Sequence, residues 1–241
     1  MGWSARTDAD LWVRSVAVSN VRVGAKAARA PDVAKGSDPG PVRARISLTT
    51  TLATDRLVLR SLRPGDVRAL RAFELENAEH LRAWSPRPRA GVKPTSVVEI
   101  ARRIATGRKD WRIDRGYSFG VFLREQPRGG SFVGRVSLNS IVRGVFQNAY
   151  LGYLIGRAHE GRGLAREAVS AACDFAFGVL GLHRVQAAIM PHNARSLRLA
   201  EALGFREEGR AQGYLMIDGG WRDHVLFAMT SGEWLARRKS A

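Results

Sequence analysis

Within "HEGRGLAREA", residues 159–168, two glycines flank an arginine just ahead of a helix-forming run. The first backbone N–H groups of a helix have no partner inside it, and the aligned peptide dipoles leave partial positive charge there. Gly161 and Gly163 would let the main chain approach a ligand with no Cβ between, and Arg162 and Arg166 would add charged donors beside it. Such a helix start is suited to an anion, above all a phosphate. A G-x-G pair alone is equally a plain turn before an amphipathic helix, so its surroundings must decide.

The surroundings remove two of three phosphate-binding schemes. No G-x-x-x-x-G-K-[ST] loop is present, and Arg166 stands where the dinucleotide fingerprint has its last glycine. The remaining pattern is Glu160-Gly161-Arg162-Gly163-Leu164-Ala165, after a strand and opening a helix late in the chain. Metal chemistry is not indicated: the five histidines are scattered and Cys173 is the single cysteine, which also excludes an internal disulfide.

The elements that must position this turn follow from periodicity. "RLVLRSL" reads as a strand, and Pro64-Gly65-Asp66 leads into a helix with Val67, Leu70 and Phe73 at helical spacing. A short helix is expected through "AEHLRAW", and Ser96 with Glu99 forms a capping-box pattern before a longer one. Three period-two stretches, "YSFGVFL", "SFVGRVSLNSI" and "AYLGYLIG", read as strands, the first two joined by the turn "QPRGG". Beyond the glycine turn, Val169, Ala172, Cys173, Ala176, Phe177 and Leu180 share one helical face that Gly181 stops, so Cys173 reads as a core residue. "HRVQAAIM" reads as a strand, Asn193 as the cap of a helix ended by Gly204, and "YLMIDGGWRDHVLFAM" as a hairpin around Asp218-Gly219. The expectation is an α/β chain with a mixed sheet flanked by helices.

The 241 residues hold 45% hydrophobic residues, enough for a substantial core. No stretch approaches the roughly 20 apolar residues of a membrane span, and the amino terminus lacks the apolar core of a secretory signal, which places the protein in the cytoplasm. Net charge is +17, with 34 of the 39 basic residues arginine. These arginines are spread along the chain and read mainly as a compositional bias, not as an RNA-binding block. Residues 1–46 mix Ala, Pro, Gly and charge without periodicity and read as a poorly ordered extension before a domain over 47–241. "LWVRSVAVSNVRV" within it alternates as a short strand with little to pair with, and translation starting near Val42 would account for the segment as well.

From residue 54 to 234 the chain resembles the GNAT acetyltransferases, in the RimJ/RimL branch of ribosomal-protein alanine N-acetyltransferases. The pieces are "TDRLVLRSL", "HLRAW", "VGRVSLNSI", "LGYLIGRAHEGRGLAREA", "LGLHRVQAAIMPHNARSLRLAEALGFREEG" and "GGWRDHVLFAMT", in this order. The resemblance implies a twisted, mostly antiparallel sheet with splayed central strands and acetyl-CoA as co-substrate, with no metal. The pyrophosphate would lie on the amides of Arg162, Gly163, Leu164 and Ala165, near Arg166. The pantetheine arm would pair with the free edge of Leu154, Ile155 and Gly156, where a backbone N–H would polarise the thioester carbonyl. Asn193 and Ser196 match cofactor-contacting positions, and Ser196 matches the acid for the departing thiolate. On their own, Asn193 is a helix cap and Ser196 a polar residue in a first turn.

Two departures stand out. The turn opens with Glu160, which would repel phosphate and is expected to face solvent. Where the branch places a basic carboxylate at the last hairpin, this chain has Leu215 and Met216, leaving Asp218, Asp223 and His224 as candidates. Asp218 reads as a turn residue, and Asp223 reads as a local brace or a base. A weak base suits an α-amine, of pKa about 7.8 and roughly a tenth neutral at pH 7, better than a lysine near 10.4. The resemblance thus implies acetylation of a protein N terminus, that of a ribosomal protein, by a monomer or homodimer able to associate with the ribosome. A small amine or aminoglycoside acceptor and a ribosome-bound assembly factor with little catalysis are the alternatives. Trp84, Tyr117 and Trp221 are candidate acceptor-cleft residues, although aromatics at such positions are more often core.

Overall fold

A computed structural model describes residues 21–22, 46–124 and 131–240. Nine strands form one sheet: β1 (Val21–Arg22), β2 (Thr51–Ala53), β3 (Leu57–Ser61), β4 (Tyr117–Leu123), β5 (Phe132–Val142), β6 (Asn148–Ile155), β7 (Arg184–Ile189), β8 (Arg206–Ile217) and β9 (Gly220–Thr230). Their spatial order is β1-β2-β3-β4-β5-β6-β7-β9-β8. Every neighbouring pair is antiparallel except β6 and β7, which run parallel. The helices are α1 (Val67–Glu76), α2 (Ala78–Arg82), α3 (Val97–Arg112), α4 (Leu164–Asp174), α5 (Ala194–Leu203) and α6 (Ser231–Lys239). A mixed, mostly antiparallel sheet flanked by helices is the architecture expected above.

Alternation along the strands decides which face each residue serves. In β4, Tyr117, Phe119 and Val121 enter the main core with Trp111 of α3 and Phe175, just past α4; Phe122 faces a second cluster with Leu62, Leu70, Ile100 and Ile104 beneath α1 and α3. The rings of Trp111, Phe119 and Phe175 meet edge-on or tilted with centroids 4.9–6.2 Å apart. Tyr117 belongs to this packing: it is buried and its hydroxyl donates to Asp114 at 2.7 Å. It is therefore a core residue and not part of an acceptor cleft, a correction that its period-two setting could not reveal. Cys173 is fully buried, and burial pushes its thiol up, as expected of a core cysteine.

Caps behave as the sequence implies. Ser96 accepts from the Glu99 amide at 3.3 Å, although the Glu99 carboxylate turns away to Arg102. Gly204 ends α5 with φ 81°. Three elements escape the period-based reading. Strand β8 begins at Arg206, eight residues before the expected hairpin, because its polar, exposed side chains carry no apolar alternation. Helix α6 is opened by a Thr230–Glu233 capping box, visible as T-x-x-E, and docks through buried Trp234, whose indole donates to Asp174 at 2.9 Å. Strand β2 is only three residues long. Val21 and Arg22 pair with Leu52 and Thr51, so the end of the alternating segment does have a partner strand. At the far end of the proposed extension the carbonyl of Ile46 accepts from the Trp111 indole at 3.1 Å; the rest of that extension, and the turn "QPRGG" within residues 125–130, lie outside the described residues.

Candidate active site

The parallel pair β6–β7 is joined only at its beginning. Asn148, Ala149 and Tyr150 pair with Arg184, Val185 and Gln186, and there the ladder ends. On its other side β6 stays paired with β5 as far as Ile155, while β7 continues to Ile189 against β9. The two strands therefore fork, and Leu151 to Ile155 present a backbone edge with no strand on the β7 side. Below the fork lies a small apolar cavity lined by Leu151, Tyr153, Val169, Ala187, Ile189 and α5 residues including Ala200. Asn77 holds the end of β6: its side chain accepts from the Arg157 amide at 2.8 Å and donates to the Phe73 carbonyl, also at 2.8 Å.

The glycine turn follows directly. Gly161 and Gly163 have φ of 71° and 74°, a left-handed backbone that side-chain-bearing residues rarely adopt, so both glycines are required by conformation. Gly163 is the N-cap of α4, and no side chain caps this end. The amides of Leu164, Ala165 and Arg166 thus open outward, and Glu167 N–H is the first to bond back, to the Gly163 carbonyl at 3.2 Å. Arg162 and Arg166 are exposed beside them.

This turn is braced from β3's side of the sheet. Arg56 donates to the Arg162 carbonyl at 2.8 Å and to the Glu167 carboxylate at 2.7 Å. The Arg56 amide and the Thr54 hydroxyl donate to the other Glu167 oxygen. Burial pulls the Glu167 carboxyl upward, but these donors outweigh it and hold it below the usual glutamate range. Glu160 does not simply face solvent, as expected above; it is half-buried, tied to Arg195 of α5 and, at 3.1 Å, to His80 of α2. Its negative charge is committed there, away from free contact with an anion in the turn.

Helix α5 brings two predicted residues to the mouth of the fork. Asn193 Oδ1 accepts from the Ser196 amide at 3.2 Å, as its cap. Ser196 is half-buried and faces the phenol of Tyr153, whose hydroxyl is buried and whose ionisation burial pushes up. Just before the cap, His192 stacks on Trp84, with ring centroids 5.3 Å apart, so Trp84 does reach this region.

The last hairpin, β8–β9, lies on the far side of β7 from β6. Val225, Phe227 and Met229 of β9 face the main core, and the alternate His224 lies buried on the other face. Its Nδ1 is 2.9 Å from the Arg222 carbonyl, which can only accept, so Nδ1 carries the proton and Nε2 keeps its lone pair when the ring is neutral. Tyr214 packs on His224 at 5.8 Å and adjoins Tyr150 of β6; burial, then the nearness of Tyr150, push the Tyr214 phenol up. Asp223 accepts from the Gly213 amide at 2.8 Å, within the irregular register between Ala211 and Leu215. Its carboxylate thus braces that bulge, the local role that the sequence reading allowed it beside that of a base. Asp218 sits in the turn at φ 45° and pairs with Arg87 at 3.0 Å. Trp221 is 64% exposed on the hairpin, beside Gly213.

A match to the acetyltransferase (GNAT) domain family spans residues 56–206. Ribosomal protein uS5-alanine N-acetyltransferase of Escherichia coli is 38% identical over 188 residues, 78% of this chain and 94% of that protein. The chain belongs to the GNAT acetyltransferases. Two solved structures are similar over about three quarters of this chain: RimJ of Mycobacterium smegmatis in complex with CoA-disulfide, with 29% identity and TM-score 0.67 over 76% of this chain and 89% of that one, and ribosomal-protein-S5-alanine acetyltransferase of Vibrio fischeri, with 27% identity and TM-score 0.69 over 76% and 98%.

Within this GNAT domain, sequence reasoning passed over Tyr150, Tyr153, Tyr214 and the brace of Arg56 on Glu167. The tyrosines read as ordinary strand residues, and only pairing across β6, β7 and β9 places Tyr150 and Tyr214 together. Among the described residues no group of three or more His, Cys, Asp or Glu is placed to hold a metal ion, and no helix is long and apolar enough to cross a membrane.

Proposed function

We propose that this GNAT domain transfers the acetyl group of acetyl-CoA to the N-terminal α-amine of a ribosomal protein. The observation that carries the reading is the uncapped, glycine-led start of α4 at the open end of the β6–β7 fork. A diphosphate accepts hydrogen bonds from the amides of Arg162, Gly163, Leu164 and Ala165, with Arg162 and Arg166 alongside. The pantetheine arm completes the free edge of Leu154, Ile155 and Gly156, and Asn193 borders it. The neutral amine attacks the thioester carbon, a backbone N–H of the fork stabilises the developing oxyanion, and the C–S bond breaks toward sulfur. Nε2 of His224 accepts the proton that the amine loses, and the Ser196 hydroxyl protonates the thiolate.

The acceptor assignment rests on the named function of the E. coli relative and on the character of the cleft. Glu160, Asp218 and Asp223 are each committed to a partner, so the walls formed by Trp84, Tyr150, Tyr214 and His224 offer rings and hydroxyls to a single amine instead of the free carboxylates a polycation needs. The basic surface would assist encounter with the ribosome, in a salt-dependent way. Acetyl-CoA is expected to raise the melting temperature of the full chain and to be consumed with a panel of ribosomal-protein N-terminal peptides. Arg162→Glu, outside the core, should keep the fold and abolish the acetyl-CoA-induced shift; a shift equal to wild type refutes the phosphate site. Binding to rRNA without turnover of any peptide would favour an assembly factor.

A further inference from the structure

We propose that Tyr153 stands behind Ser196 as a second proton donor, restoring to Ser196 the proton it gives to the departing coenzyme A thiolate. The inference rests on the acetyl-transfer reading above. Tyr153 lies beyond Tyr150, the last β6 residue paired with β7, so its side chain enters the fork instead of a closed sheet. The ring has an apolar reason to be there: Leu151, Val169, Ala187, Ile189 and Ala200 line the same cavity. The hydroxyl has none. It is buried, and the polar side chain placed to hydrogen-bond with it is Ser196. A phenylalanine would fill that cavity with no buried donor to satisfy, so the hydroxyl calls for an explanation outside packing.

Asn193 supplies one. By accepting from the Ser196 amide it fixes the Ser196 backbone and leaves the Ser196 hydroxyl to rotate between the fork and Tyr153. Burial also disfavours the phenolate, so Tyr153 remains a protonated donor at neutral pH. The balance is complete. As the C–S bond breaks, its electron pair stays on sulfur; the Ser196 O–H proton passes to sulfur, and the Tyr153 O–H proton passes to the Ser196 oxygen. The phenolate then regains a proton from solvent once product leaves, and the amine proton has gone to His224. Tyr153 does not touch the substrate and acts through Ser196, so it is a positioning residue.

The test uses the full chain with acetyl-CoA and an accepted N-terminal peptide. Tyr153→Phe should melt no lower than wild type and retain the acetyl-CoA-induced shift, while kcat falls about 10- to 100-fold and KM for acetyl-CoA is nearly unchanged. Ser196→Ala should give a comparable loss, and the double variant should be no slower than the slower single, since both act in one relay. Incorporating 3-fluorotyrosine at position 153 keeps the O–H and should restore most of the rate. Wild-type kcat in Tyr153→Phe, or a double variant slowed by the product of the two single losses, overturns the relay while leaving the acetyltransferase reading intact. Absence of turnover by the wild type with every peptide would remove that reading and the relay with it.

Discussion

Ser196, His224 and Tyr153 show how much of a residue's chemistry depends on what its backbone is already doing. Asn193 and Ser196 serve the start of α5 whatever else they do, because a helix cap needs an acceptor and an amide at that spacing. His224 differs, since its strand needs only a residue that fits a buried position. The bond from Nδ1 to the Arg222 carbonyl selects one tautomer and leaves Nε2 as the basic atom. His224→Gln is expected to lower kcat/KM roughly 100-fold while the acetyl-CoA-induced thermal shift stays at the wild-type value, measured by steady-state kinetics alongside thermal denaturation. A loss of that shift would mean the ring supports the fold around the donor site and not the acceptor amine.

Between elements, the decisive contact is that of the turn leading into β3 with α4. Thr54 and Arg56 converge on Glu167, one turn into α4, and Arg56 also holds the Arg162 carbonyl, so the glycine turn is clamped from both sides. Because the Glu167 carboxyl is held below its usual range in the folded chain, its stabilisation is complete above the unfolded carboxylate range and is lost as pH falls through the lowered folded value. Glu167→Gln should therefore lower the melting temperature at pH 7 and flatten its decline between about pH 5 and pH 3, followed by thermal denaturation across that range. It should also weaken the acetyl-CoA-induced shift, since the turn is no longer held. Helix α2 links the glycine turn and the last hairpin at this same scale. His80 reaches Glu160 beside the turn, and just past the helix Ser85 accepts from the Asp218 amide at 3.1 Å in the hairpin turn.

For the whole molecule, the main core carries the load. Phe175, fully buried among Trp111, Tyr117 and Phe119, joins the C-terminal end of α4 to β4, and Phe175→Ala should cost about 3–5 kcal/mol, read as a fall in the denaturant midpoint. Much of this architecture was legible without coordinates. Period-two runs located β4 to β7 and β9, and period-three-to-four runs located α1, α3, α4 and α5, because each buries one apolar face. Where burial is absent the signal fades, as in β8, which is held by backbone pairing and carries polar side chains. Tyr117 misled for the reverse reason, since an aromatic at a strand position reads alike whether it faces a cleft or a core. The sequence by itself determined the glycine turn ahead of α4, through two glycines before a helix start, and the Asn193–Ser196 cap, because both are local and their bonds close within a few residues. Only the tertiary structure decided the fork of β6 from β7, the engagement of Asp223 with a bulge, and the meeting of Tyr153 with Ser196 and of Tyr150 with Tyr214. Those depend on the register between strands far apart in the chain, where a shift of one residue turns every side chain to the opposite face.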